Sequence, residues 1–188
     1  MAWIARRTQA NPSFTQAEME NNVIIIASYF RGLGWTDNAI AAMCGNMQVE
    51  SFLNPAQFEM GKNFSPAYGF GLVQWTPRTK FSDWAGADWE TDYDLQLQRI
   101  KYELENDLQW TYNVNMNFPD FSTSTDSVSY LTEVFERNYE NPLDWQASIT
   151  QRVNNAESWY VFLGNTPTPK IPVWLLFKIR WNNKGGMI

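Results

Sequence analysis

The sequence predicts a mainly α domain of about six helices, with one small β-hairpin excursion set between the second helix and the rest. Three observations lead there. Apolar residues recur at helical spacing in several separate segments. The one long stretch that loses this period, Pro55 to Trp75, is punctuated by Gly61, Pro66, Gly69 and Gly71. A chain of 188 residues, 44% hydrophobic and 16% aromatic, can also bury a core without disulfides or metal.

The elements follow in chain order. Thr15-Gln-Ala-Glu18 has the form of a capping box, in which hydroxyl and carboxylate satisfy the free N–H groups of a helix start. That helix runs through Val23, Ile26, Ala27 and Phe30 to Gly32 and Gly34. The second begins near Thr36 or Asp37 and carries Ile40, Met43, Cys44 and Met47 at i, i+3, i+4 and i+7, one buried stripe. It should stop close to Glu50, because Asn54-Pro55 cannot continue it. Gly71 to Trp75 reads as a short strand or turn. Helical pattern resumes at Thr79 to Trp84. A long helix is expected from about Thr91 to Thr111, with Tyr93, Leu97, Ile100, Leu104 and Leu108 inward. Two more cover about Ser127 to Asn138 and Asp144 to Leu163, the last burying Trp145, Ile149, Val153, Ala156, Tyr160 and Leu163.

The expected organisation is an N-terminal arm over 1–14, a domain over 15–164 and a Pro-containing linker with a basic, apolar tail over 165–188. That tail holds four basic residues (Lys170, Lys178, Arg180 and Lys184) and no acids, in a chain of net charge −6. The tail packs back on the domain, docks on a partner protein or, as a short anchor, lies on a membrane surface. The acidic remainder argues against a nucleic-acid groove, which needs clustered Lys and Arg. No segment approaches the roughly 18 apolar residues of a membrane span, and no secretory signal is visible, so synthesis without a signal peptide is expected.

Two absences narrow the chemistry. The single cysteine, Cys44, permits no internal disulfide and reads as a small core residue. The chain has no histidine, which excludes Ser-His-Asp and Cys-His triads and histidine-bound zinc. Acid–base work falls to carboxylates, Tyr or Lys, and carboxylates are the usual tools of glycoside hydrolysis. The aromatic excess fits either a Trp-rich core or a groove that stacks on sugar rings.

Glu50 ends an apolar helix, where burial and the helix carbonyls both disfavour its charged form. Such a carboxyl can act as general acid. The run Glu50-Ser-Phe-Leu-Asn-Pro55, followed by Tyr68-Gly-Phe-Gly-Leu-Val-Gln74-Trp-Thr76 and later by Phe135-Glu-Arg-Asn-Tyr-Glu140-Asn-Pro142, resembles the phage tail lysozyme family. The likeness extends more distantly to goose-type lysozymes and soluble lytic transglycosylases. It covers about Thr15 to Leu163.

The resemblance implies a lysozyme-like α+β fold and cleavage of bacterial peptidoglycan, with no metal or cofactor. Glu50 matches the family's catalytic acid, and Tyr68, Gln74, Trp75 and Thr76 match the turn that lines the substrate groove. Ser51 reads as a local hydrogen-bonding residue, since no histidine is present to activate it. Glu140 reads as a support of the groove floor. Glu59 is the best local candidate for a second catalytic carboxylate, which both retaining and inverting hydrolysis require. A lytic transglycosylase would need none, and hydrolysis of the muramidase type is preferred. The family resembled is virion-associated, and the basic, apolar tail over 165–188 favours a virion-mounted protein with phage tail proteins as partners through that segment. An endolysin and a catalytically inactive wall-binding or structural tail component stay open.

Overall fold

A computed structural model describes residues 1–166. Among the described residues seven α-helices appear in order: α1 Gln16–Gly32, α2 Asp37–Ser51, α3 Thr79–Ala85, α4 Asp94–Glu105, α5 Phe118–Thr123, α6 Val128–Phe135 and α7 Ile149–Asn165. A π-helical turn, Glu136–Glu140, continues α6, and short 3-10 turns cover Gly86–Asp88 and Trp145–Ala147. The C-terminal tail assigned from sequence falls, apart from Asn165 and Thr166, outside the described residues.

The capping logic holds where it was strongest. Thr15 accepts from Glu18 N while the Glu18 carboxylate accepts from Thr15 N at 2.8 Å, a complete capping box. Thr36 caps α2 by accepting from Ala39 N.

α2 is more than amphipathic. Every residue from Ala39 to Met47 is buried, so the helix runs through the middle of the domain with α1, α5, α6 and α7 packed around it. Its closest neighbour is α7. A Cβ on Gly45 would stand 2.6 Å from the Arg152 carbonyl and from Ala156 Cβ, so glycine lets the two backbones touch.

The expected β-hairpin is not formed: among the described residues there is no strand, and the architecture is all-α. The excursion retains two isolated bridges, Thr8 with Gln57 in parallel and Phe58 with Phe70 in antiparallel sense. The physical reason is visible in the hydrogen bonds. Gly71 and Gln74 both take positive φ (83° and 48°), curling the chain into a turn just where a strand would continue. Side chains then satisfy the backbone in place of a partner strand. Gln96 accepts from Leu72 N at 2.8 Å and donates to Pro55 O at 2.7 Å. Gln74 Nε2 donates to Gln57 O and Gly71 O.

The N-terminal arm is held in the same manner. Asn22 and Asn54, both fully buried, clamp the backbone of Ile4 and Arg6 respectively, each side-chain amide accepting from the N–H and donating to the carbonyl of the residue it holds. Buried amides thus do the work of a ladder.

Two helical registers also differ from expectation. α4 ends at Glu105, because Asp107, Gln109 and Tyr112 all take positive φ, and Leu108 is left 38% exposed. On α7 the buried face is Arg152, Ala156, Trp159 and Leu163, while Tyr160 is 42% exposed. The apolar stripe is rotated because an arginine occupies one of its positions.

Candidate active site

The end of α2 is shaped by strain. Phe52 and Leu53 are both left-handed (φ 58° and 59°), a conformation costing of order 1 kcal/mol or more for a non-glycine residue. The turn is over-determined. Leu53 is fully buried, and the buried Ser51 hydroxyl contacts both Met47 O and Leu72 O at 2.9 Å. Ser51 therefore ties the helix end to the turn at Leu72, in keeping with a local bonding role. The consequence is that Glu50 stands at a sharp corner of the chain.

That corner opens on a cleft of about 610 Å³. Val49 and Glu50 form its α2 side, and Glu59, Met60, Val73, Gln74, Trp75 and Thr76 come from the former β region. Lys80 and Gln109 lie on it as well, and Tyr139, Glu140 and Pro142 close it from the π turn. Of the residues singled out from sequence, Glu50, Glu59, Gln74, Trp75, Thr76 and Glu140 are therefore brought together. Tyr68 is not on the cleft; its ring lies 5.5 Å from the Lys62 ammonium.

Each lining residue has a physical anchor. Trp75 is buried, stacks on Phe81 at 4.8 Å and donates its indole N–H to Glu103 at 3.0 Å. Tyr139 donates its hydroxyl to the other oxygen of the same carboxyl. Glu103, with Arg99 as its ion-pair partner at 2.8 Å, thus holds two walls of the cleft from below. Burial pushes the Glu103 carboxyl above the usual carboxylate range, against the opposing pull of Tyr139 and Arg99. Gln74 spends its amide N–H groups on backbone carbonyls, which fixes the turn, and Thr76 donates its hydroxyl to Gln74 O. Glu59 accepts from Gly69 N at 2.9 Å, so its carboxylate braces the loop it stands on.

The electrostatic centre is Arg152, which the sequence reading missed. Its side chain is 5% exposed and reaches Glu50 at 2.5 Å and Glu136 at 3.0 Å. It also donates to Asn46 Oδ1 at 3.0 Å. The Glu50 side chain remains 22% exposed toward the cleft. Glu136 is fully buried with one oxygen unpartnered, and its carboxyl is raised chiefly by burial. Glu140 is raised further, first by burial and then by the negative charge of Glu50. The signal for Arg152 was present: it falls four residues before Ala156 and seven before Trp159, a charge on an apolar face. Glu103 sits likewise on the inward side of α4, three residues after Ile100. Among the described residues no group of three His, Cys, Asp or Glu side chains is arranged to hold a metal ion. No helix there is long and apolar enough to cross a membrane.

The assembly of helix-end glutamate, curled turn and late Tyr-Glu segment around one cleft agrees with comparison to known proteins. Residues 21–163 match the family model described as phage tail lysozyme. Morphogenesis protein 1 of Bacillus phage B103 is 40% identical over 152 residues, an alignment covering 80% of this chain and 41% of that protein. The chain therefore spans about two fifths of the length of that relative. With the three sequence motifs and nearly the whole helical body inside the matched region, this chain belongs to the phage tail lysozyme family.

Proposed function

We propose that the protein cleaves the glycan strands of bacterial peptidoglycan, with Glu50 delivering a proton to the glycosidic oxygen. The observation that carries this reading is the position of Glu50: fixed by Arg152 on one side, partly open on the other, at the corner of a cleft lined by further carboxyls and aromatic edges. A cleft of this size suits several polar rings. Gln74 and Thr76 offer polar contacts for sugar substituents, and the buried Trp75 and Tyr139 form the packed floor behind them. Glu59, on the same cleft, is the candidate base or nucleophile for a muramidase-type hydrolysis. Delivery to the wall as part of the phage particle is supported by membership of a tail lysozyme family and by likeness to a phage morphogenesis protein.

The test is digestion of purified peptidoglycan by the wild type and by Glu50→Gln, with products weighed by mass spectrometry. Gln keeps the shape but carries no transferable proton. The wild type should release fragments at a rate at least about 100-fold above the variant, the lower end for loss of a general acid. Products lighter by one water would assign a lytic transglycosylase instead of a hydrolase. Binding without cleavage by both proteins would refute the enzyme reading and leave a wall-binding tail component.

A further inference from the structure

The cleft carries both signs of charge, set apart from each other. Glu50 from α2, Glu59 and Glu140 from the π turn all line it. Lys80 of α3 is the one cation among the described residues that lines it too. Arg152 is not on the lining and is already committed to Glu50 and Glu136. Lys80 has no ion-pair partner among the described residues, although three carboxyls share its cleft. Its ammonium instead donates to a neutral group, the side-chain oxygen of Gln109, at 3.3 Å.

Gln109 is held in place for that contact. Its backbone is left-handed (φ 62°), a costly conformation that persists only where the surroundings over-determine it. The other end of its amide donates to Tyr139 O at 3.2 Å. One side chain thus bridges the π turn, which carries Glu140, to α3, which carries Lys80. It keeps the ammonium on the cleft wall without neutralising it.

Such a cleft discriminates by charge. A strand of wholly neutral sugars makes no use of a positive group there. A carboxylate on a sugar substituent is disfavoured beside the cleft carboxyls and favoured only at Lys80, which fixes the register of the strand. Peptidoglycan has the matching chemistry. Every second sugar bears a lactyl carboxyl, either free or extended by a peptide stem that carries carboxylates of its own.

We propose that Lys80 is a specificity-determining residue of this cleft, binding a carboxylate of the glycan substrate and so setting which glycosidic bond meets Glu50. The inference rests on the peptidoglycan reading and narrows it to carboxylate-bearing strands.

The test is calorimetric binding by the full chain carrying Glu50→Gln, alone and combined with Lys80→Met, Lys80→Arg or Gln109→Gly. Three soluble strands are compared. The first is peptidoglycan glycan with its stems, and the second is the same glycan stripped by an amidase, which leaves free lactyl carboxylates. The third is a chitin oligosaccharide, which has no carboxylate. Lys80→Met should lower affinity for a carboxylate strand, relative to chitin, by about fivefold, the upper range for one exposed ion pair. Lys80→Arg should keep most of that preference, and higher ionic strength should shrink it in the Lys80 protein. Gln109→Gly, which relieves the strain and removes the amide, should lower the ratio in the same direction. A loss confined to the stem-bearing strand places a stem carboxylate at Lys80, and a loss with the stripped strand places the lactyl carboxylate there. Lys80 is exposed, so methionine at that position leaves the core untouched. Binding of all three strands with an unchanged ratio in Lys80→Met overturns the Lys80 proposal alone. Binding of none of them overturns the peptidoglycan reading together with it.

Discussion

Replacing Gly45 by alanine sets two rules against each other, and the structure says which should prevail. On helix propensity alone the change stabilises α2 by about 1 kcal/mol, since glycine in a helix interior is the poorer residue. But the new Cβ would stand 2.6 Å from Arg152 O, 2.7 Å from Ala156 N and 2.6 Å from Ala156 Cβ. Two of the three are backbone atoms of a packed helix and have no flexible end to move. Overpacking of this kind costs about 1–3 kcal/mol, and rigid neighbours put it at the upper end. The net expectation is a loss of about 2 kcal/mol, the ~3 kcal/mol clash less the ~1 kcal/mol propensity gain. For a domain of this length that lowers Tm by roughly 4–8 °C, read by far-UV circular dichroism. Adding Ala156→Gly removes only one of the three contacts, so it should not restore stability. A Gly45→Ala protein with unchanged or raised Tm, or full rescue by Ala156→Gly, would refute the close backbone approach. Because α2 carries Glu50 and α7 carries Arg152, cleavage should fall together with Tm in the single variant.

Two further outcomes are expected. Arg152→Met leaves Glu136 with Ser148 as its one side-chain partner among the described residues, a broken buried pair that should cost about 3–5 kcal/mol at pH 7 by urea unfolding; the loss should shrink at pH 5 as Glu136 takes up a proton, and an equal loss at both would contradict the pairing. Wild-type stability should fall as pH rises from 5 to 7: Glu103, Glu136 and Glu140 are all raised in the folded state, so their contribution is fully present below the unfolded carboxylate value and is lost as pH climbs through the folded ones. A urea midpoint that climbs over that range would place these carboxyls in the wrong charge state.

The parts of the fold that were legible are those governed by local rules with room to repeat. Thr15 with Glu18, and Thr36, announce their helices because a cap is a contact within three residues. α5 escaped notice since six residues from Phe118 give no period to read, although Asn117 and Pro119 mark its start in the usual way. The β excursion was misread for a different reason. Its punctuation was correctly seen as non-helical, but whether such a segment pairs or curls depends on distant partners, here Gln96 from α4 and the arm at Thr8. Glu50 and the Gln74-Trp75-Thr76 turn could be found because the motif spacing carries them, whereas Tyr68 shares the motif and still lies off the cleft.

The least legible feature is also the most consequential one. A buried arginine has no sequence rule of its own, because its tolerance depends entirely on which carboxylates the tertiary fold delivers to it. Arg152 receives Glu50 from a helix 102 residues away in sequence and Glu136 from a turn near at hand, and it donates to Asn46 between them. Remove any one of α2, the π turn or α7 and the remaining charges are left unmatched in a low-dielectric setting. The same arrangement that makes the site expensive to build therefore makes it cooperative with the fold. The central helix cannot shift without breaking the ion pair, and the ion pair cannot break without stranding Glu136 in the core. A glutamate at a solvated helix end would hold no fixed direction. Here a buried guanidinium sets the position of Glu50 at the edge of the cleft, in a chain that has no histidine.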